Sequence, residues 1–286
     1  MSFYTVGMAS AHQVYKYKDE NGKWVFSDIE PLNEEAETIA ITAVKKVPVK
    51  PRVMGERVNG HSTLKIENPF YAPIEVELMG SVFGDTPYRR VIPGLTEETL
   101  YSGKEETDQF QLTWVFGDPR TQVDRHIYRL PLPQNNTFLI SQSFNGGFSH
   151  TEQPERYAVD FGMQLGTSVH AARSGVIFKV KEDYNFGGVA EYFLDKANYL
   201  MILHDDGTYG IYAHILSGSV IAGIGDRVEV GQKIARSGNS GFSTGAHLHF
   251  VVVRNVGLRI ESIPFQFLGE DGKGFTPQKG MMVKVM

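Results

Sequence analysis

Cysteine is absent from the 286 residues, which excludes disulfides and thiolate catalysis and leaves histidine and carboxylate as the only ligands for a metal such as zinc. A basic excess is missing too. The net charge is -5, so composition gives no electrostatic reason to propose nucleic acid as a partner. No apolar run approaches the length of a membrane span. Amphipathic helical periodicity of any length is also lacking, so an all-helical fold is not expected. What is present is 41% hydrophobic residues, enough for a real core in one large domain or two to three small ones.

The opening residues 1–11, MSFYTVGMASA, carry a short apolar stretch ending in Ala9-Ser10-Ala11. This is the small-x-small pattern preferred by signal peptidase. It predicts the remnant of an export signal without its basic front, a mature start at His12, and a periplasmic or secreted protein. From Gln13 to Asp28 two alternating runs flank Asn21-Gly22, a strong hairpin signal. This stretch resembles a small hairpin module common at the front of exported Gram-negative proteins, which implies an address more than a chemistry. With the following segment PLNEEAETIAITAVKKVPVKPR, a linker or loosely attached strand, it makes a module over 12–48. Residues 49–135 hold short alternating segments such as STLKIEN and QFQLTWVFG between Gly, Pro and Asp, predicting a β-sandwich-like module with a spacer, docking or wall-positioning role. Its His61 and His126 stand alone and read as surface or structural residues.

After Pro133 the character changes. A glycine-rich loop leads to His150, and Asp160 follows ten residues later in the apolar YAVDF, where a carboxylate must be paired or bound. Further on, Asp205-Asp206-Gly207 turns a hairpin whose returning strand places Tyr212 and His214 on one face. His170 and His204 read as exposed strand or turn residues. The stretch SGNSGFSTGAHLHF, Ser237–Phe250, passes from a turn-rich loop into a β-branched strand, so His247 and His249 point one way and Leu248 the other. The expected fold is mainly β: hairpin and sandwich-like modules, then an antiparallel β-sheet domain over 136–268 and a C-terminal extension over 269–286.

The segments SH, YAVDFGMQLGT, IYAHI and SGNSGFSTGAHLHF occur in the order and approximate spacing of the lysostaphin-like zinc endopeptidases, which cut peptide crosslinks in bacterial cell walls. The resemblance covers roughly Gln142 to Phe267. It implies that His150, Asp160 and His249 hold Zn²⁺ and that His214 and His247 are the two unliganded catalytic imidazoles. The chemistry suits these types. Two neutral imidazoles and one carboxylate leave the metal an open position for water, and a free histidine titrates near working pH.

Two departures stand out. The His150–Asp160 interval is longer than in the best-known members, so the loop TEQPERYAV bulges between the ligands. Many members also carry a tyrosine in the glycine-rich approach that helps hold the developing oxyanion; the matching position here is Phe144. Tyr212 or Asn145 is the expected substitute as a substrate-binding or oxyanion group. The resemblance thus implies a zinc endopeptidase acting on peptidoglycan peptide stems and crosslinks. The alternatives are a non-catalytic relative that grips cell wall or activates another hydrolase, and a biotin- or lipoate-type hairpin scaffold, which the lack of a lysine in the Ser-Gly-Asn-Ser-Gly turn disfavours. The front modules are open between anchoring and intramolecular inhibition of the cleft.

Overall fold

The computed structural model describes residues 12–18, 22, 24–27, 30–31, 35–41, 49–84, 86–106 and 110–285. The export-signal reading of 1–11 and the Asn21 half of the hairpin turn lie outside the described residues. Regular structure is almost all strand. Among the described residues the only helical elements are single 3-10 turns at Ser81–Phe83 and Glu191–Phe193. The protein is mainly β, as its patterning implies.

The front forms a three-stranded antiparallel sheet. β1 (His12–Lys18) is central, paired with β2 (Trp24–Ser27) on one edge and β3 (Glu37–Ile41) on the other. The register Lys18↔Trp24 to Tyr15↔Ser27 is that of a hairpin turning around Gly22, whose φ of 76° suits a glycine. Next come two three-stranded antiparallel sheets. One consists of β4 (Arg52–Val58), β5 (His61–Asn68) and β8 (Thr96–Gly103), the other of β6 (Ile74–Gly80), β7 (Tyr88–Ile92) and β9 (Phe110–Phe116). Period-two alternation drives Leu64 and Ile66 of β5 against Ile74, Val76 and Leu78 of β6, all fully buried.

The rest of the chain is built on one nine-stranded antiparallel sheet. In spatial order its path is β18 (Arg227–Val228), β14 (Gly175–Lys181), β16 (Tyr199–Leu203), β17 (Tyr209–Ala213), β21 (His247–Asn255), β12 (Val159–Gly162), β11 (Thr137–Gln142) and β25 (Met282–Lys284); β22 (Ile260–Ser262) also pairs with β21. Small pairings frame it. These are β10 (Ile127–Tyr128) with β23 (Gln266–Leu268) and β24 (Gly274–Phe275), β13 (Ser168–His170) with β19 (Lys233–Arg236), and β15 (Gly187–Gly188) with β20 (Gly241–Phe242). The stretch 269–286 is therefore woven into the sheet by β25, which pairs with β11.

Strand β21 organises the molecule. Leu248, Phe250 and Val252 point into the domain core with Phe161, Tyr212 and Phe267. The other face begins with His247 and His249 and continues as Val251 and Val253, which are buried with Phe178 and Tyr209 of the same sheet against Phe116 of the sandwich. The sandwich thus covers the far end of the face whose near end carries the histidines. Asn255, 1% exposed at the end of β21, locks this contact by donating to Glu75 Oε2 at 2.8 Å and to the Gly117 carbonyl at 3.1 Å.

Candidate metal centre

Three neighbouring strands aim side chains at one point. Asp160 of β12 lies directly opposite His249 of β21, and Ala213, the last residue of β17, lies opposite His249 on its other side. His150 comes from the glycine-rich loop, held by its own N–H donating to the Gly146 carbonyl at 3.0 Å. One donor atom from each of His150, Asp160 and His249 falls within 4.8 Å of the others, and all three residues are buried. Asp160 Oδ1 is 3.3 Å from His150 Nε2 and 2.9 Å from His249 Nδ1.

Each of these groups is oriented from behind. His150 Nδ1 lies 3.0 Å from the Ser143 carbonyl, which can only accept; Nδ1 therefore carries the proton and Nε2 offers a lone pair. That Nε2 is buried with no hydrogen-bond partner, a costly state unless something binds there. The Gln142 amide donates to Asp160 Oδ2 at 3.1 Å and turns Oδ1 toward the imidazoles. His249 Nε2 donates to Glu155 Oε2 at 2.8 Å, leaving Nδ1 on the side of Asp160. Two nitrogens and one carboxylate, with an orphaned lone pair among them, fit a zinc ion's donor set.

Burial by itself would raise Asp160, but the adjoining imidazoles of His150 and His249, the latter hydrogen-bonded to it, hold it well below the usual carboxylate range. Burial would lower His249, yet Asp160 and Glu155 outweigh it and push the metal-free imidazole up to about 10. His214 and His247 behave oppositely. Burial, reinforced by the other imidazoles, takes His214 down to about 3, and burial lowers His247. Their rings face each other at 4.4 Å between centroids. His214 Nδ1 donates to the Ser240 carbonyl at 2.7 Å and His247 Nδ1 to the Gly245 carbonyl at 2.8 Å, so both present Nε2 as a neutral acceptor to the cleft. The cleft has a volume of about 380 Å³ and is lined by His214, Phe242, His247, His249 and Phe148 among others. A larger cavity of about 750 Å³, lined by His126, Arg129 and Arg173, lies away from all five residues.

Tyr212 is corrected. It is 0% exposed, faces the core beside Phe250, and its hydroxyl accepts from the Ala172 N–H at 2.8 Å. Tyr212 and His214 would share a face only if β17 ran on, but the strand ends at Ala213 and His214 has φ 60°, which swings its ring to the cleft side. Asn145 does not line the cleft either. Its N–H donates to the Arg156 carbonyl at 2.7 Å from a left-handed backbone, so it ties the glycine-rich loop to the ligand loop. Phe144 packs against Tyr157 and Phe265. His204 is corrected as well: it is 2% exposed, and Nδ1 donates to the Ser174 carbonyl at 2.9 Å. Sequence reading missed Gln142, Ser143 and Glu155, because what identifies them is a partner brought near by folding.

Residues 155–260 match Peptidase family M23, a span that takes in Asp160, His214, His247 and His249 and begins just after His150. The chain is 38% identical over 122 residues to an uncharacterized metalloprotease of Haemophilus influenzae, covering 41% of this chain and 23% of that protein. It is 35% identical over 120 residues to lysostaphin of Staphylococcus simulans, 41% of this chain and 22% of that one. It is 31% identical over 124 residues to the peptidoglycan DD-endopeptidase ShyA of Vibrio cholerae, 42% of this chain and 26% of that one. The solved catalytic domain of S. simulans lysostaphin aligns over 44% of this chain and 87% of its own length at 26% identity, with a TM-score of 0.31. The chain spans less than half the length of these curated relatives. Residues 155–260 carry a domain of the lysostaphin-like M23 peptidase family.

Proposed function

We propose that the protein is a zinc-dependent endopeptidase that hydrolyses peptide crosslinks of peptidoglycan outside the cytoplasm, in the periplasm or after secretion. The observation that carries this reading is the convergence of His150, Asp160 and His249 with two further imidazoles, His214 and His247, in one cleft. Family membership and the relatives named above, two of them a lysostaphin and a peptidoglycan DD-endopeptidase, support it.

His150 Nε2, Asp160 Oδ1 and His249 Nδ1 would hold the ion, which when bound supplies Lewis acidity toward the scissile carbonyl and acidifies water. The chain's own groups do the rest. His247 Nε2, 3.9 Å from Asp160 Oδ1, is placed beside the ligands to accept a proton from the attacking water. His214, with Nδ1–H fixed on Ser240, keeps its Nε2 toward the same space and is placed to pass a proton to the leaving amine or steady the developing charge. No side chain in the cleft is a thiol, and the reaction proposed has no covalent intermediate.

The decisive experiment is hydrolysis of purified cell walls with and without chelator. His249→Ala loses both zinc and activity, whereas His247→Ala retains zinc and loses activity. Full activity in the presence of chelator, or equal zinc loss in the two variants, overturns the assignment. Binding to walls without release of fragments by the metal-loaded protein would instead identify a non-catalytic relative.

A further inference from the structure

Among the residues lining the cleft, only two carry a formal charge apart from the histidines: Asp160 and Lys279. Asp160 is committed to its imidazoles. Lys279 makes no ion pair or hydrogen bond with any described residue, unlike Arg89, which pairs with Glu77, and Arg227, which pairs with Asp205. It also lies outside the residues that match the family.

Lys279 is nevertheless not part of a loose tail. It occupies the second position of a tight turn closed by Met281 N–H donating to the Gln278 carbonyl at 3.2 Å, and Gly280 with φ 90° takes the position that a type II turn reserves for glycine. The turn is fastened on both sides to the strand that leads into the site. Ile140 N–H donates to the Met281 carbonyl and Gly280 N–H to the Ile140 carbonyl, each at 2.9 Å. Before it, the buried Ser143 hydroxyl donates to the Pro277 carbonyl at 2.9 Å, and Ser143 is also the residue whose carbonyl orients His150. After it, β25 pairs with β11 from Leu139↔Met282 onward. The backbone of Lys279 is thus held against the ligand scaffold while its side chain stays free at the cleft.

We propose that Lys279 is a specificity residue that receives a carboxylate of the substrate, so that the site prefers a peptide bearing a free carboxylate near the bond to be cut over an uncharged one such as a glycine bridge. The inference rests on the peptidase reading above and narrows its substrate class. An ammonium carried on a fixed backbone and lacking an internal partner keeps its attraction for an external anion, and the one carboxylate lining the cleft, Asp160, is already engaged by the imidazoles. Its contribution is expected in binding, since a carboxylate remote from the scissile bond carries the same charge before and during reaction.

The test uses the zinc-loaded full chain and two soluble crosslinked stem-peptide dimers that differ only in whether the carboxyl group beside the crosslink is free or amidated. Wild-type protein is expected to show a KM lower by roughly two- to fivefold for the free acid, the size of one partly exposed charge pair, and to lose that preference in about 0.5 M salt. Lys279→Met erases the difference between the dimers through KM, Lys279→Arg keeps it, and Lys273→Met, an exposed lysine elsewhere, leaves it as in wild type. A preference that survives Lys279→Met, or no preference in wild type, overturns the inference while leaving the peptidase reading intact. Failure of the wild type to cut either dimer overturns both.

Discussion

Glu155 shows how much of the site depends on a residue that no motif marks. It lies in the bulge between two of the proposed ligands, its side chain is 42% exposed, and its one evident task is to accept the Nε2–H of His249. A carboxylate behind a ligating imidazole fixes ring orientation and tautomer and raises basicity, and losing it typically weakens metal binding about 10- to 100-fold. Glu155→Ala is therefore expected to weaken zinc affinity by that range in chelator competition, with Glu155→Gln in between because its amide oxygen still accepts the hydrogen bond. An unchanged affinity in both variants would reduce Glu155 to a surface acid. The five residues His150, Asp160, His214, His247 and His249 were legible in the sequence because they sit in distinctive local strings. Glu155 was not, since the length of TEQPERYAV predicts a bulge but says nothing about which of its side chains returns to the site. Tyr212 failed for another reason: period-two logic holds only while a strand lasts, and β17 stops at Ala213, one residue short of His214.

At the scale of elements, the end of β17 is where local backbone conformation is converted into site geometry. The left-handed turn at His214 is braced by Gly238, whose N–H donates to the His214 carbonyl at 2.9 Å. A Cβ on Gly238 would lie 2.6 Å from the backbone of Ile215 and Leu216 and 2.7 Å from the His214 oxygen, distances that backbone atoms cannot relieve without moving the histidine. Gly238→Ala is expected to destabilise the fold by about 1–3 kcal/mol in thermal melts and to reduce turnover more than zinc content, because the proposed ligands stand on β12, β21 and the glycine-rich loop. Zinc loss matching the loss of turnover would refute that separation. The β16–β17 hairpin carries a second consequence, in acid. Burial, opposed only partly by the Ser174 carbonyl, lowers His204 to about 4, whereas in the unfolded chain it titrates near 6.5. As pH falls from about 6.5 the unfolded chain binds the proton first, so stability falls until about pH 4, by roughly 3 kcal/mol for this group. His204→Asn should flatten the decline in melting temperature over that window; an unchanged slope would place the acid sensitivity elsewhere. Strands and turns of this kind were readable from alternation and glycine punctuation. The burial of His204 was not, because it is the packing of Tyr128 and Ser174 from distant segments that encloses it.

For the molecule as a whole, the placement of the sandwich on the histidine-bearing face of β21 decides how the front modules can act. Val253 is four residues beyond His249 along an extended strand, about 13 Å, so the sandwich packs on the same face as the histidines without supplying any residue that lines the cleft. Its contact is core-like: Phe116 and Phe178 meet at 5.0 Å, and Val251, Val253 and Phe178 are at most 1% exposed. Deleting everything before Pro133 would uncover this apolar face, so that truncation tests stability before it tests latency. The hairpin module stands differently. β2 packs beside β15, and β15 pairs with β20, whose Phe242 lines the cleft. If any front module restrains the site it is this one. Removing residues 1–48 alone should therefore raise kcat/KM on a soluble crosslinked peptide severalfold while shifting the melting temperature little, and the same deletion should leave zinc affinity as it was. Unchanged kcat/KM together with weaker binding to intact cell walls would make the hairpin an anchor, and a large fall in melting temperature would show that β2 and β15 share more of the core than their short contact suggests.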